Sequence, residues 1–279
     1  MPLLLLVSFV WAFSFGLIKG RLAGLDPTAI ATVRIALSAL MFLPFLRLGK
    51  IDRLTTIKFT LIGAIQFGAM YVLYLGAFAY LHAYEVALFS ITTPFYLAII
   101  EAISQSRWDS RLGAATLLAV AGAAIVSWQT ITTTHVANGF LLMQASNLCF
   151  AFGQFAYRRV RAKTSGTSDR ELFGLLYLGA LVVTIAASLL TGAWPAFHPN
   201  QQQWLVLIYL GIIASGLCFF WWNLGATRVS AATLAVFNNA KVPLAVACSL
   251  LFFDESANLV RLLIGGTMLI AALVLGKAK

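Results

Sequence analysis

Lys241 carries the strongest chemical signal in the chain. It lies 11 residues past Ser230 in an apolar run that ends near Phe252, roughly 16 Å along a helix at ~1.5 Å per residue. That is near the middle of a hydrocarbon layer ~30 Å thick. A charged side chain there costs on the order of 3 kcal/mol on insertion scales, so it must face a protein interior or a wet cavity. Asn238 stands one turn earlier on the same helix face. Pro243 removes the backbone donor owed to the Asn239 carbonyl. A cation, an amide and a freed carbonyl at one level suit recognition of an anionic small molecule. The alternative is a role in the fold alone, with Lys241 neutralising a buried carboxylate or binding carbonyls between helices.

Other polar and aromatic residues fall on helical stripes. A shift of 139 positions maps Ser8, Trp11 and Phe15 onto Asn147, Phe150 and Gln154, both sets at i, i+3, i+7. A shift of 149 maps Tyr71, Tyr74 and Phe78 onto Phe220, Asn223 and Thr227, and sets Phe89 and Thr92 opposite Asn238 and Lys241. A carboxylate would meet Lys241, an ammonium Asn147 or Asn238, and an apolar body Trp11, Phe15, Tyr71 and Tyr74. Thr92, Gln154 and Asn223 complete the candidate binding set, and Pro94 and Pro243 are candidate hinges. Single aromatics also serve as packing in a chain with 21 Phe, and Trp204, Trp221 and Trp222 near span ends read as interface anchors. Arg34 reads as structural, snorkelling outward or pairing with Glu85. No His, Cys, Asp or Glu cluster has ligand spacing and no Ser-His-acid set shares a depth, so no metal, cofactor or enzymatic activity is expected.

The scaffold that must position these residues is a membrane one. The 279 residues are 61% hydrophobic and 10% charged, where a soluble domain has about 25% charged. Ten spans are predicted near 2–20, 28–46, 58–80, 84–104, 111–128, 138–157, 171–191, 203–224, 230–252 and 259–276. The first lacks a basic leader and a small-residue cleavage pattern, and reads as a span rather than a signal. Cys149, Cys218 and Cys248 read as packing residues. Of 19 basic residues, 14 fall in the tail and in the connections on the side of the N-terminus, which places both termini in the cytoplasm. The charge of +10 therefore reports topology, and no nucleic-acid partner is expected.

The chain also repeats itself. The shift of 149 aligns Leu75, Gly76, Ala77, Ala83, Pro94 and Ala98 with Leu224, Gly225, Ala226, Ala232, Pro243 and Ala247 without a gap. Ten spans divide into five and five, an odd number that inverts the second copy. The expected fold is all-α and integral to the membrane, with ten helices as two inverted five-helix repeats around a central cavity. Residues 1–134 form the first and 135–279 the second. Small residues in spans five and ten, among them Ala115, Ala119, Gly265 and Gly266, suit bracing of the halves or of a partner protomer.

Over its whole length the sequence resembles the bacterial drug/metabolite transporter superfamily, of the ten-helix EamA type. The resemblance rests on Trp11 to Phe15 leading to Lys19, Arg34, Tyr84 to Pro94, Asn223 to Pro243, Asp254-Glu255 and Gly265-Gly266. Within it the sequence is most similar to the aromatic amino acid exporter group. The resemblance implies an inner-membrane exporter of aromatic and other neutral amino acids, working by alternating access as a monomer or weak dimer. The alternative it leaves is a broad-specificity drug or nucleoside and metabolite exporter.

Overall fold

The computed structural model describes residues 2–47, 49, 51–81, 86–87, 89–106, 110–127, 136–230, 233–241, 244 and 259–277. Ten helical segments occupy them: α1 (Pro2–Arg21), α2 (Pro27–Phe42), α3 (Arg53–Ala77), α4 (Thr93–Gln105), α5 (Ser110–Ser127), α6 (Val136–Arg161), α7 (Asp169–Leu190), α8 (Gln201–Ala226), α9 (233–241) and α10 (Leu259–Lys277). Pro243, Glu85, Asp254, Glu255 and Cys248 lie outside the described residues.

The helices start where the sequence supplies caps. Asp26 accepts from the amides of Thr28 and Ala29, with Pro27 at the first helical position of α2. Ser168 and Glu171 form a reciprocal capping box for α7, as Asn200 and Gln203 do for α8. Asp52 caps α3, accepting from the Thr55 amide at 2.9 Å. Hydrogen bonds from the Thr55 hydroxyl and amide hold its carboxyl below the ordinary carboxylate value. A depressed folded-state pKa gives stabilisation that is present above the unfolded pKa and is lost as pH falls through the folded one. Protection of the Thr55 amide from hydrogen exchange is therefore expected to hold near neutrality and fail in acid. In Asp52→Ala that pH dependence should vanish.

Among the described residues five helices, α1, α2, α3, α7 and α8, are long and apolar enough to cross a membrane. The outward residues Ile103, Val182, Leu190 and Leu205 are 64–88% exposed, as a lipid-facing surface requires. Helix α6 is as long but carries Gln144, Asn147 and Gln154 inside its run, a polar face that must turn inward.

Packing follows a symmetric scheme. Helix α2 packs on α7 and α5 on α10. α1 packs on α8 and α6 on α3, while α2 packs on α8 and α7 on α3. Under the five-helix correspondence, the first two contacts map onto themselves and the others exchange in pairs. Helices α2 and α7 run antiparallel, since the Thr28 and Thr191 hydroxyls share a hydrogen bond of 2.8 Å and the Thr32 hydroxyl donates to the Thr184 carbonyl. The Ser8 hydroxyl donates to the Phe237 carbonyl at 2.9 Å, and the Asn147 amide to the Phe89 carbonyl at 2.8 Å, so α1 meets α9 as α6 meets the start of α4. Both α3 and α8 widen to π geometry midway, at Ala64–Ala69 and Leu210–Leu217.

Trp222 departs from the expectation of an interface anchor. It is fully buried with its ring 5.0 Å from that of Trp11, because the stripe it shares with Phe219 faces inward. Trp204 is 41% exposed.

Candidate functional site: a cationic, aromatic cavity

Helices α1, α2, α3, α4, α6, α8 and α9 enclose a cavity of about 80 Å³. Its lining is mostly apolar, with Trp11 and Phe15 from α1, Tyr71 and Tyr74 from α3, and Phe150 and Phe219 from α6 and α8. The rings pack edge-on or tilted, Phe15 at 6.3 Å from Tyr74 and Tyr71 at 5.7 Å from Phe219, arrangements that ring quadrupoles favour. The Trp11 indole nitrogen donates to the Ala214 carbonyl at 2.8 Å, which fixes its plane. Besides the tyrosine hydroxyls, the polar lining is sparse: Ser14, Ser90, Thr93, Ser146, Asn147 and two cations, Arg34 and Lys241.

Arg34 is the larger surprise. Its side chain is 2% exposed and turns into the bundle. Nε donates to the Ser215 hydroxyl at 3.2 Å, Nη2 to the Tyr71 hydroxyl at 2.8 Å, and the guanidinium lies 4.6 Å from the Tyr71 ring centre. The Ser215 hydroxyl spends its one proton on the Leu210 carbonyl at 2.7 Å. The Tyr71 hydroxyl, 2.8 Å away, must then donate to Ser215 and accept from Arg34. Among the described residues Nη1 of Arg34 is buried with no hydrogen-bond partner. The expectation of a structural arginine reaching outward or pairing with Glu85 is corrected in its direction, since the side chain turns inward onto Tyr71 and Ser215. The available signal was Ser38, one turn along the same face, which donates to the Gly211 carbonyl and marks that face as inward.

Lys241 is 8% exposed and opens on the same cavity. Among the described residues it has neither a hydrogen-bond nor an ion-pair partner, and Arg34 has no carboxylate beside it. Two positive charges thus share a largely apolar chamber.

Of the residues singled out in the sequence, the structure brings Lys241, Asn147, Trp11, Phe15, Tyr71 and Tyr74 to this cavity. Thr92 stands just behind it, accepting from the Asn147 amide at 3.0 Å and donating to Gln144. Asn238 faces Asn239, whose amide reaches the Ile91 carbonyl. Asn223 and Gln154 are buried outside the lining, Asn223 accepting from Gln66 at 3.1 Å. Pro94 opens α4 at its first turn, behind a 3-10 turn at Ser90–Thr92, where its missing N–H costs no helical bond.

An apolar bundle around a chamber with a few convergent polar groups has the form of a small-molecule site. The chain belongs to the EamA-like transporter family, which matches residues 1–128 and 137–276. It is 40% identical over 275 residues to a probable biotin transporter of Pseudomonas aeruginosa, covering 98% of this chain and 96% of that one. It is 37% identical to the biotin transporters of Salmonella typhimurium and Escherichia coli, covering 98% of this chain and 91% of each of theirs. A crystal structure at 15% identity superposes with a TM-score of 0.74 over 97% of this chain and 95% of that chain, which shows the fold.

The protein is thus a bacterial, multi-pass inner-membrane transporter of small molecules and not an enzyme. The expected kinship with aromatic amino acid exporters is corrected by these relatives, two biotin transporters and a probable one. The aromatic cargo was implied by the resemblance alone, and the aromatic rings of the cavity suit any flat apolar body.

Proposed function

We propose that the protein carries biotin across the inner membrane by alternating access. The observation that carries this reading is Lys241, a buried cation open to an aromatic cavity with no carboxylate partner among the described residues. Biotin is a monocarboxylate with a compact, weakly polar bicyclic head. Its carboxylate would sit between Lys241 and the free Nη1 of Arg34, where charge-assisted hydrogen bonds are strongest. Its head would rest on Trp11, Phe15, Tyr74 and Phe150, with Asn147 and Ser146 reaching the ureido group. Thr92, Asn238, Asn223 and Gln154 would support these contacts from behind.

The accompanying topology is ten spans as two inverted repeats, 1–134 and 135–279, with both termini cytoplasmic and Pro94 and Pro243 as hinges. The antiparallel pairing of α2 with α7 and the paired helix contacts support inversion. Nothing in this scheme calls for more than a monomer.

Flux of labelled biotin into proteoliposomes tests the reading. Biotin methyl ester, which keeps the shape and loses the charge, is expected to compete at least ~10-fold more weakly than biotin, the worth of one charge-assisted contact. Equal competition would show that the carboxylate is not read. The sparse polar lining also favours a wider cargo range of similar monocarboxylates, which would compete in the same assay.

A further inference from the structure

A second chamber, of about 650 Å³, lies at the end of the bundle where α6 finishes. It is lined by Glu101 and Ser104 of α4, by Phe155, Arg158 and Arg159 of α6, and by Thr227 after α8, with Arg161 at its edge. Arg158 pairs with Glu101 at 3.3 Å and Arg161 with Asp169 at 2.7 Å. Arg159 donates to the Ser104 hydroxyl and lies over the Phe155 ring. Among the described residues it has no carboxylate partner, so the chamber holds a guanidinium in excess of its acids.

The two chambers stand on the same helix faces. On α6, Asn147 and Phe150 reach the central cavity and Arg158 the second chamber, with Gln154 between, a continuous stripe at three- and four-residue spacing. On α8, Phe219 and Thr227 are joined through Asn223, and on α4, Thr93 and Glu101 through Leu97.

What separates the chambers is polar and unsatisfied. Gln154, Gln66 and Trp222 are at most 1% exposed, yet among the described residues Gln154 Nε2, Gln66 Oε1 and Trp222 Nε1 have no hydrogen-bond partner. Buried orphans of this kind are rare and need a reason. A seal that opens to an amphiphilic cargo supplies one, because the cargo or its water would satisfy these groups in passing.

We infer that the arginine chamber is a second anion site on the translocation route. It holds the carboxylate of the cargo at one mouth, on the far side of the Gln66–Gln154–Trp222 seal from Lys241. The inference rests on the reading of the central cavity as a carboxylate site. Arg159 is the group that captures the anion, since Arg158 and Arg161 are already paired. A charge at a wetted rim acts on encounter and is screened by salt.

The test is the sidedness of transport in oriented vesicles, with biotin as first probe and valerate and lipoate as further monocarboxylates. Arg159→Gln, at an exposed position, is expected to raise KM from the Arg159 face about three- to tenfold, the effect of one partly screened charge, with kcat unchanged. From the opposite face KM should stay within about twofold while kcat falls by about the same three- to tenfold, because kcat/KM in the two directions is tied to a transport equilibrium the variant cannot change, and raising salt should erase the difference between variant and wild type on the first face. Equal changes of KM on both faces, or none on either, would overturn the inference. So would an effect present in vesicles containing phosphatidylglycerol and absent in phosphatidylcholine, since the chamber would then be a lipid phosphate site. If wild type carries valerate or lipoate but not biotin, the biotin reading falls and the sidedness is read with the carried anion. If it carries none of the three, both fall.

Discussion

Lys241→Met is expected to reduce biotin flux at least ~100-fold while leaving an inserted and folded protein. The ammonium has no partner among the described residues, so its removal leaves no orphan behind. It also relieves an insertion cost on the order of 3 kcal/mol. Methionine keeps much of the lysine stem and adapts to the cavity wall. Thermal stability in detergent should therefore stay level or rise. The cargo loses more, because a hydrogen bond to a charged group contributes ~1.5–3 kcal/mol and a carboxylate entering an apolar chamber would now have Arg34 alone. Flux in proteoliposomes and an unfolding midpoint on the same preparation measure the two effects separately. Wild-type flux in a stable variant would remove Lys241 from the site. Arg34→Met makes the contrast: it takes away the donors that Tyr71 and Ser215 accept from, so stability and flux should fall together.

The sequence made Lys241 legible because a lysine at mid-membrane depth has few bland explanations, and the shifts of 139 and 149 made the symmetric scaffold legible because spans one, three and four repeat as six, eight and nine. The same periodicity placed Trp11, Phe15, Tyr71, Tyr74 and Asn147 on inward faces, and the cavity uses them. It did not separate cavity walls from the layer behind. Asn223 and Gln154 lie on the correct stripes, yet they sit one turn further along and face the seal between chambers. A stripe fixes a direction around the helix and says little about depth, so residues on one face share an orientation without sharing a chamber. The inward direction of Arg34 was hidden for a different reason. Its distance from the helix end allowed an outward reach, and the partners that hold it inward, Tyr71 and Ser215, come from helices 37 and 181 residues away. The π segments were also hidden, because a backbone widening depends on packing that no local pattern records. Cargo was the least legible feature, since aromatic walls accept many flat molecules.

Gly179→Ala should be among the most damaging single-methyl additions in the chain. Helices α3 and α7 cross so closely that a Cβ at Gly179 would lie 1.9 Å from the Thr60 carbonyl oxygen, and one at Gly63 1.9 Å from that of Leu176. A carbon meets an oxygen comfortably at about 3.3 Å, so the helices would have to part by more than ~1 Å. The obstruction is backbone, which cannot swing aside as a side-chain tip does. In lipid such contacts are a main source of helix association, because no hydrophobic force favours protein over lipid tails. Overpacking of this kind costs about 1–3 kcal/mol, and loss of the neighbouring contacts adds to it. The expected result is a sharply reduced yield of monodisperse protein and a lowered unfolding midpoint. Gly20→Ala, where nothing among the described residues lies within 4 Å, should be neutral and serves as the control. The double variant Gly63→Ala with Gly179→Ala should fall short of additivity, because either methyl already forces the same pair apart. Function should suffer beyond folding. The Tyr177 hydroxyl of α7 donates to the Ser215 carbonyl at 2.7 Å, and Ser215 and Tyr71 hold Arg34. Prying α7 from α3 therefore disturbs a guanidinium that lines the cavity, and flux per folded molecule should drop as well. A Gly179→Ala protein with wild-type midpoint and flux would mean that the helices do not approach at this crossing, and with it would go the rigid wall on which the cationic cavity is built.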